Sequence, residues 1–162
     1  MLFPILINGI TAGLAGMTSL GVPLTHREHA QGVVFLTGHA QPGAAPTDWA
    51  AVAQTAARLK WTLVIYMGVR ELPHIERGLR LGLSDHTPVA VVQNATLPHQ
   101  RHAVSVLSDL SALVHREGLG SPSIVVVGDV LKGLAQTGSN ACENDGLFEE
   151  NLEYAWTQNA ST

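Results

Sequence analysis

Histidine is the residue type that most invites a chemical reading of this chain. Eight are present, and two pairs, His26 with His29 and His99 with His102, are spaced i, i+3. At that spacing two imidazoles can share a metal ion, but a recognisable zinc site also needs cysteine or carboxylate ligands in register. No cysteine or carboxylate cluster completes either pair, so the histidines are expected on loops and surfaces, with no bound metal. The sequence also has no G-x-S-x-G elbow, no P-loop lysine signature and no G-x-G-x-x-G. Hydrolases and nucleotide-phosphate binders therefore lack their usual mechanical parts here. Asp48, Glu71, Asp85, Asp109 and Glu117 fall at helix starts or in loops, where capping or solvation accounts for them. None has the spacing of a general base.

What remains is the stretch "NGITAGLAGMTSLGVPLTHRE", Asn8 to Glu28, dominated by small residues and uncharged as far as His26. It reads as a strand "FPILI", an Asn8-Gly9 turn, and Thr11 opening a helix of tiny side chains. Such a helix lets backbone approach something closely and leaves unpaired N–H groups facing it. Three readings are open: a membrane span, a loop and helix packed on a ligand, or a tight turn packed only on protein. The uncharged run from Ile5 to Leu24 has the length of a span, and Gly9 and Gly13 form a G-x-x-x-G pair. Asn8, Thr11, Thr18 and Ser19 interrupt it, however, and its leading residues favour a strand, so no membrane association is expected. A positive segment ahead of the apolar residues is absent too, which argues against a secretory signal and for a cytoplasmic location.

The elements that must position these residues alternate between short β-branched runs and longer Ala/Leu-rich segments, the pattern of strands interleaved with helices. Strands are predicted at Leu2–Ile7, Gly32–Thr37, Thr62–Met67, Pro88–Gln93, Arg101–Leu107 and Ser123–Gly128. Helices are predicted at Thr11–Leu20, Asp48–Lys60, Glu71–Leu81 and Asp109–Glu117, with Thr47 as an N-cap and Gly82 and Gly118 as C-caps. Continuous apolar strands imply helices on both faces of a sheet. "QNATLPHQR" is too short for a crossover helix, so the strands flanking it pair antiparallel. The fold class is thus α/β: a mixed, mostly parallel sheet of about five strands flanked by helices.

Composition agrees. The 162 residues suit one domain with a real core, and 46% are hydrophobic against 14% charged. A net charge of −4 supplies no basic field for phosphate backbones, so nucleic acid is not an expected partner. A lone cysteine, Cys142, cannot close an internal disulfide. Beyond Lys132 the chain turns acidic, with five acids and no Lys or Arg. Residues 134–162 read as a polar tail with a short helix whose Phe148, Leu152 and Trp156 form one apolar stripe.

"GITAGLAGMTSLGVPLTHRE", "VVFLTGH", "DWAAVA", "TLVIYMG", "PVAVVQNATLPHQR" and "SIVVVGDVL", in this order from Ile10 to Lys132, closely resemble the second half of the uroporphyrinogen-III C-methyltransferases of the tetrapyrrole methylase family. The resemblance implies a C-terminal domain at 1–133, with residues 1–8 forming the last strand of a first domain. It implies methyl transfer from S-adenosylmethionine to uroporphyrinogen III, giving precorrin-2 for sirohaem or cobalamin, in a homodimer with the cofactor between two α/β domains. By the same resemblance Thr11 and Ala12 lie at the cofactor, Met67 of "YMG" faces cofactor and tetrapyrrole, and Ala95 of "QNAT" replaces a glycine that touches the cofactor through its main chain. A methyl there is tolerated at negative φ and crowds the site at positive φ. No catalytic residue is assigned. The glycine-rich first loop and "GGDP"-type loop of the family's first domain do not occur here, so this chain alone is expected to be inactive. The alternative is a non-catalytic dimerising or binding module derived from that enzyme.

Overall fold

The computed structural model describes residues 8–39, 43, 45–132 and 134. The predicted strand at 2–7 and the tail at 135–162, with its Phe148, Leu152 and Trp156 stripe, lie outside them. The described elements run α1 (Ala12–Ser19), β1 (Gly32–Thr37), α2 (Trp49–Leu59), β2 (Trp61–Tyr66), α3 (Leu72–Leu79), β3 (Pro88–Gln93), β4 (Arg101–Val106), α4 (Leu110–Arg116) and β5 (Ser123–Val127). Every predicted element among the described residues is present, within two residues at each end.

The five strands form one sheet in the order β1-β2-β5-β3-β4. It is mixed, and β3 and β4 pair antiparallel across the "QNATLPHQR" turn, Gln93 opposite Arg101. The expected balance of directions is reversed: only β1 and β2 are parallel, whereas β5 runs antiparallel to both β2 and β3. β5 slots into the centre after a crossover through α4, so one inserted strand sets the sense of two neighbouring ladders.

Alternation along the central strands sorts two cores. Leu63, Ile65, Val89, Val91, Val125 and Val127 face α2, α3 and α4, whose Trp49, Ala53, Ile75, Leu79, Leu110 and Val114 cover them. Val64, Ala90, Val92, Ile124 and Val126 face the other way and meet Met17 of α1, Leu24, Ala30, Val130 and Leu131. Burial on both faces explains the unbroken apolar runs. α1 has eight residues, and no helix among the described residues is long and apolar enough to cross a membrane.

Caps follow the chemistry with two changes from expectation. The N-cap of α2 is Asp48, not Thr47; its carboxylate accepts from the Ala51 amide at 3.0 Å. Gly118 adopts φ +59 after α4, as a C-cap glycine does. Gly82 does not; it is small because a Cβ there would reach Ala53 Cβ of α2 at 2.9 Å.

Candidate functional site

α1 lies across the sheet at the end where β1, β2 and β3 finish. Two glycines let it lie flat. A Cβ on Gly13 would stand 2.7 Å from Val64 Cγ1 and 3.0 Å from Phe35 Cε1; one on Gly16 would stand 2.8 Å from Ile124 Cδ1 and 3.3 Å from Ala95 Cβ. The glycines of the opening stretch therefore serve close helix-on-sheet packing at these two positions. Gly21 serves differently, turning the chain out of the helix at φ +67.

Thr11 is the N-cap of α1, yet its hydroxyl makes no cap bond. Thr11 Oγ1 instead sits 2.5 Å from the Tyr66 hydroxyl, which also accepts from the Gly13 amide at 3.0 Å. One of the helix's free N–H groups is thereby satisfied by a side chain from β2 rather than left for a ligand. Phe35 stacks beside Tyr66 with ring centroids 6.1 Å apart.

Directly after Tyr66 comes Met67, at φ +53 and 65% exposed. A left-handed non-glycine residue carries backbone strain, and such strain gathers at ligand sites. Gly68 follows, and the Gly38 amide donates to the Tyr66 carbonyl at 2.6 Å. A Cβ on Gly38 would come within 3.0 Å of the Gly68 nitrogen, so the "TGH" and "YMG" segments touch backbone to backbone.

Ala95 occupies the turn between β3 and β4, half-buried against Gly16. Its neighbours Asn94 and Thr96 have φ +53 and +67, but Ala95 is not in the left-handed region. Its methyl group is therefore accepted without strain, and the crowding that positive φ would cause does not arise. Gln100 ties this turn to the helix: its Oε1 accepts from the Thr96 amide at 2.6 Å, and its Nε2 lies 2.9 Å from Ser19 Oγ.

The structure thus brings Thr11, Ala12 and Met67 to one end of α1 through Tyr66, and places Ala95 under the helix further along. Sequence reasoning missed Tyr66, Gly38 and the Asn94/Thr96 pair. Tyr66 looked like one more strand residue; only the helix position shows that its hydroxyl is the hub. No Lys, Arg, Asp or Glu lies at 8–24 or 62–69, so the rim is uncharged and offers hydroxyls, backbone groups and exposed apolar side chains, Ile10 at 79% among them. An apolar cleft lined by Val34, Ala51, Val52, Thr55, Trp61 and Leu63 lies on the opposite face, beside α2, and shares none of these residues.

Residues 5–111 match the family of Tetrapyrrole (Corrin/Porphyrin) Methylases. The chain belongs to that family. A uroporphyrinogen-III C-methyltransferase of Pseudomonas aeruginosa is 43% identical over 130 residues, covering 80% of this chain and 51% of that protein. A siroheme synthase of Azotobacter vinelandii is 42% identical over 127 residues, 78% of this chain and 26% of its own length. Among solved structures, the uroporphyrin-III C-methyltransferase of Thermus thermophilus in complex with S-adenyl homocysteine superimposes with a TM-score of 0.60 at 30% identity, over 77% of this chain and 50% of that one. This tetrapyrrole methylase chain therefore spans about half the length of the Pseudomonas relative it matches. Its mixed five-stranded sheet is the family fold.

Proposed function

We propose that this domain supplies one wall of an S-adenosylmethionine cleft in a uroporphyrinogen-III C-methyltransferase that forms precorrin-2 in the cytoplasm. The observation that carries the reading is the uncharged rim in which the Thr11 and Tyr66 hydroxyls meet, flanked in sequence by Ala12 and Met67, at the carboxyl ends of β1 and β2, where strands of open α/β sheets receive ligands. The residues fit the cofactor: hydroxyl and carbonyl oxygens suit a sulfonium cation, and apolar side chains suit its neutral body. When bound, S-adenosylmethionine supplies an electrophilic methyl group. The chain's own part is to position the donor through Thr11, Ala12, Met67 and Ala95. Methyl transfer needs donor and acceptor held about 3–3.5 Å apart in line, and one open wall does not hold both partners.

The test is turnover. The pure chain, incubated with S-adenosylmethionine and uroporphyrinogen III, is expected to yield no methylated product. Product is expected once the first half of the Pseudomonas relative is supplied in trans. Turnover by the chain alone would overturn the inactivity, and silence of a folded, associated pair would overturn the assignment.

A second reading, a non-catalytic dimerising module, draws on the exposure of Ile10, Leu14, Phe35, Met67 and Leu97; apolar surface of this kind marks contact sites when it is contiguous. Sedimentation separates the two readings. A dimer that neither binds S-adenosylmethionine nor responds to the supplied half supports the module.

A further inference from the structure

The turn that joins α1 to β1 holds a feature unrelated to the cleft. His26, Glu28 and His29 each place one ligand atom within 4.8 Å of the other two. The i, i+3 spacing of His26 and His29 shows in the sequence; that Glu28 joins them does not, because three ligands in four residues match no zinc-finger or helical pattern. The fold brings them together by bending the chain back on itself. The His26 amide donates to the Ala30 carbonyl and the Ala30 amide to the His26 carbonyl, each at 2.8 Å, and the His29 amide closes on the His26 carbonyl at 3.1 Å. Buried Leu24 and Ala30 anchor both ends. The backbone is thus fixed while His26 and Glu28 remain exposed and free to adjust.

We propose that this turn binds one borderline divalent ion, Zn²⁺ being the reference case, through His26, Glu28 and His29. Two imidazoles and one carboxylate form a recurrent three-ligand zinc set that leaves a position for water. Neutral nitrogen donors favour Zn²⁺, Ni²⁺ or Cu²⁺ over Mg²⁺ and Ca²⁺, which want oxygen. With metal bonds of roughly 2.0–2.2 Å, ligand atoms around a tetrahedral ion stand about 3.4 Å apart. Closing from 4.8 Å therefore takes little more than side-chain rotation. The imidazoles now stack with centroids 4.8 Å apart and planes at 20°, so one ring must tilt for both lone pairs to converge. His26 Nδ1 is held only by a long 3.2 Å bond from the Glu28 amide, which a metal can replace because that amide lies in an exposed residue. Arg27, the one cation in the turn, is also exposed and can point its charge into water. A bound ion would clip the exit of α1 to the entry of β1, at the opposite end of β1 from the "TGH" segment.

The experiment uses the full chain without a polyhistidine tag. Calorimetric titration with Zn²⁺ is expected to show one saturable equivalent, absent with Mg²⁺, and Zn²⁺ is expected to raise the melting temperature as a native-state ligand does. Glu28→Gln and His29→Ala are each expected to weaken the site at least about tenfold, the scale on which even ligand-supporting residues act, and to abolish the thermal shift. The double variant His99→Gln/His102→Gln is expected to bind as wild type does. Circular dichroism checks that each variant is folded; Glu28→Gln alters only an exposed side chain, so it retains the test if His29→Ala unfolds. Binding below one equivalent, or affinity unchanged in Glu28→Gln and His29→Ala, would show scattered binding by the eight histidines and overturn the proposal.

Discussion

The hydroxyl of Tyr66 stands 2.5 Å from that of Thr11, so the last residue of β2 is bonded to the cap of a helix 55 residues earlier in the chain. Tyr66→Phe removes this bond and the one to the Gly13 amide. A loss of about 1 kcal/mol of stability is expected, the ordinary net worth of a hydrogen bond, read as a lower urea midpoint at unchanged slope. A double-mutant cycle with Thr11→Val should show coupling between the two sites; strictly additive losses would mean that the contact contributes nothing.

Gly13→Ala sets a helix-propensity gain of about 1 kcal/mol against a methyl group that would stand 2.7 Å from Val64 Cγ1 and 3.0 Å from the Phe35 ring. The Tyr66 hydroxyl would stand nearer still, and Val64 is fully buried, so the clash is expected to win, with a net destabilisation of about 1–3 kcal/mol. Gly16→Ala should cost less, because its nearest neighbour at 2.8 Å is the terminal methyl of Ile124, which can rotate. Chemical denaturation orders the two, and a Gly13→Ala protein at least as stable as wild type would refute the packing account.

Met67 separates strain from contact. Its side chain is 65% exposed and its φ is +53. The left-handed conformation costs about 1–2 kcal/mol and glycine's extra backbone entropy returns about 0.5–1 of that, so Met67→Gly should gain stability by about 0.5–1 kcal/mol. Met67→Val, β-branched, should lose it. In the assembly proposed above, with the first half of the Pseudomonas relative supplied in trans, Met67→Gly should also weaken S-adenosylmethionine binding; a variant both less stable and equally active would contradict both proposed roles.

Acid stability should depend on Asp109. Arg116, 3.0 Å away, and then the Ser105 hydroxyl at 2.7 Å hold its carboxyl below the ordinary value of 3.8. A depressed carboxylate contributes stability above its unfolded pKa and loses it as pH falls through the folded one. Asp109→Asn should therefore flatten the fall in melting temperature below about pH 4 relative to wild type. Parallel curves for the two proteins would remove Asp109 from the account.

Much of this architecture was legible because period and punctuation agree along the chain. "GVVFLT" and "PVAVVQ" gave β1 and β3 at their observed limits, and the short "QNATLPHQR" turn forced the antiparallel return. Strand sense elsewhere was not legible: nothing in "SIVVV" says that β5 enters between β2 and β3 and opposes both. At the site, the small residues of α1 announced close approach without naming its target. The role of Tyr66 is a product of the third dimension, since its hydroxyl meets Thr11 only once the helix is in place; of the His26–Glu28–His29 turn the sequence shows the histidine spacing but not the bend that brings Glu28 to it.

The flatness of α1 has a metrical result. Tyr66 grips its first turn and Gln100 grips Ser19 at its last, so the helix works as a strut between the "YMG" corner and the Ala95 turn. Eight residues at 1.5 Å per residue give about 12 Å. That length sets the spacing between the two corners, and inserting or removing one residue would turn part of the helix by about 100°, carrying either the glycine face off the sheet or one of the two grips out of reach.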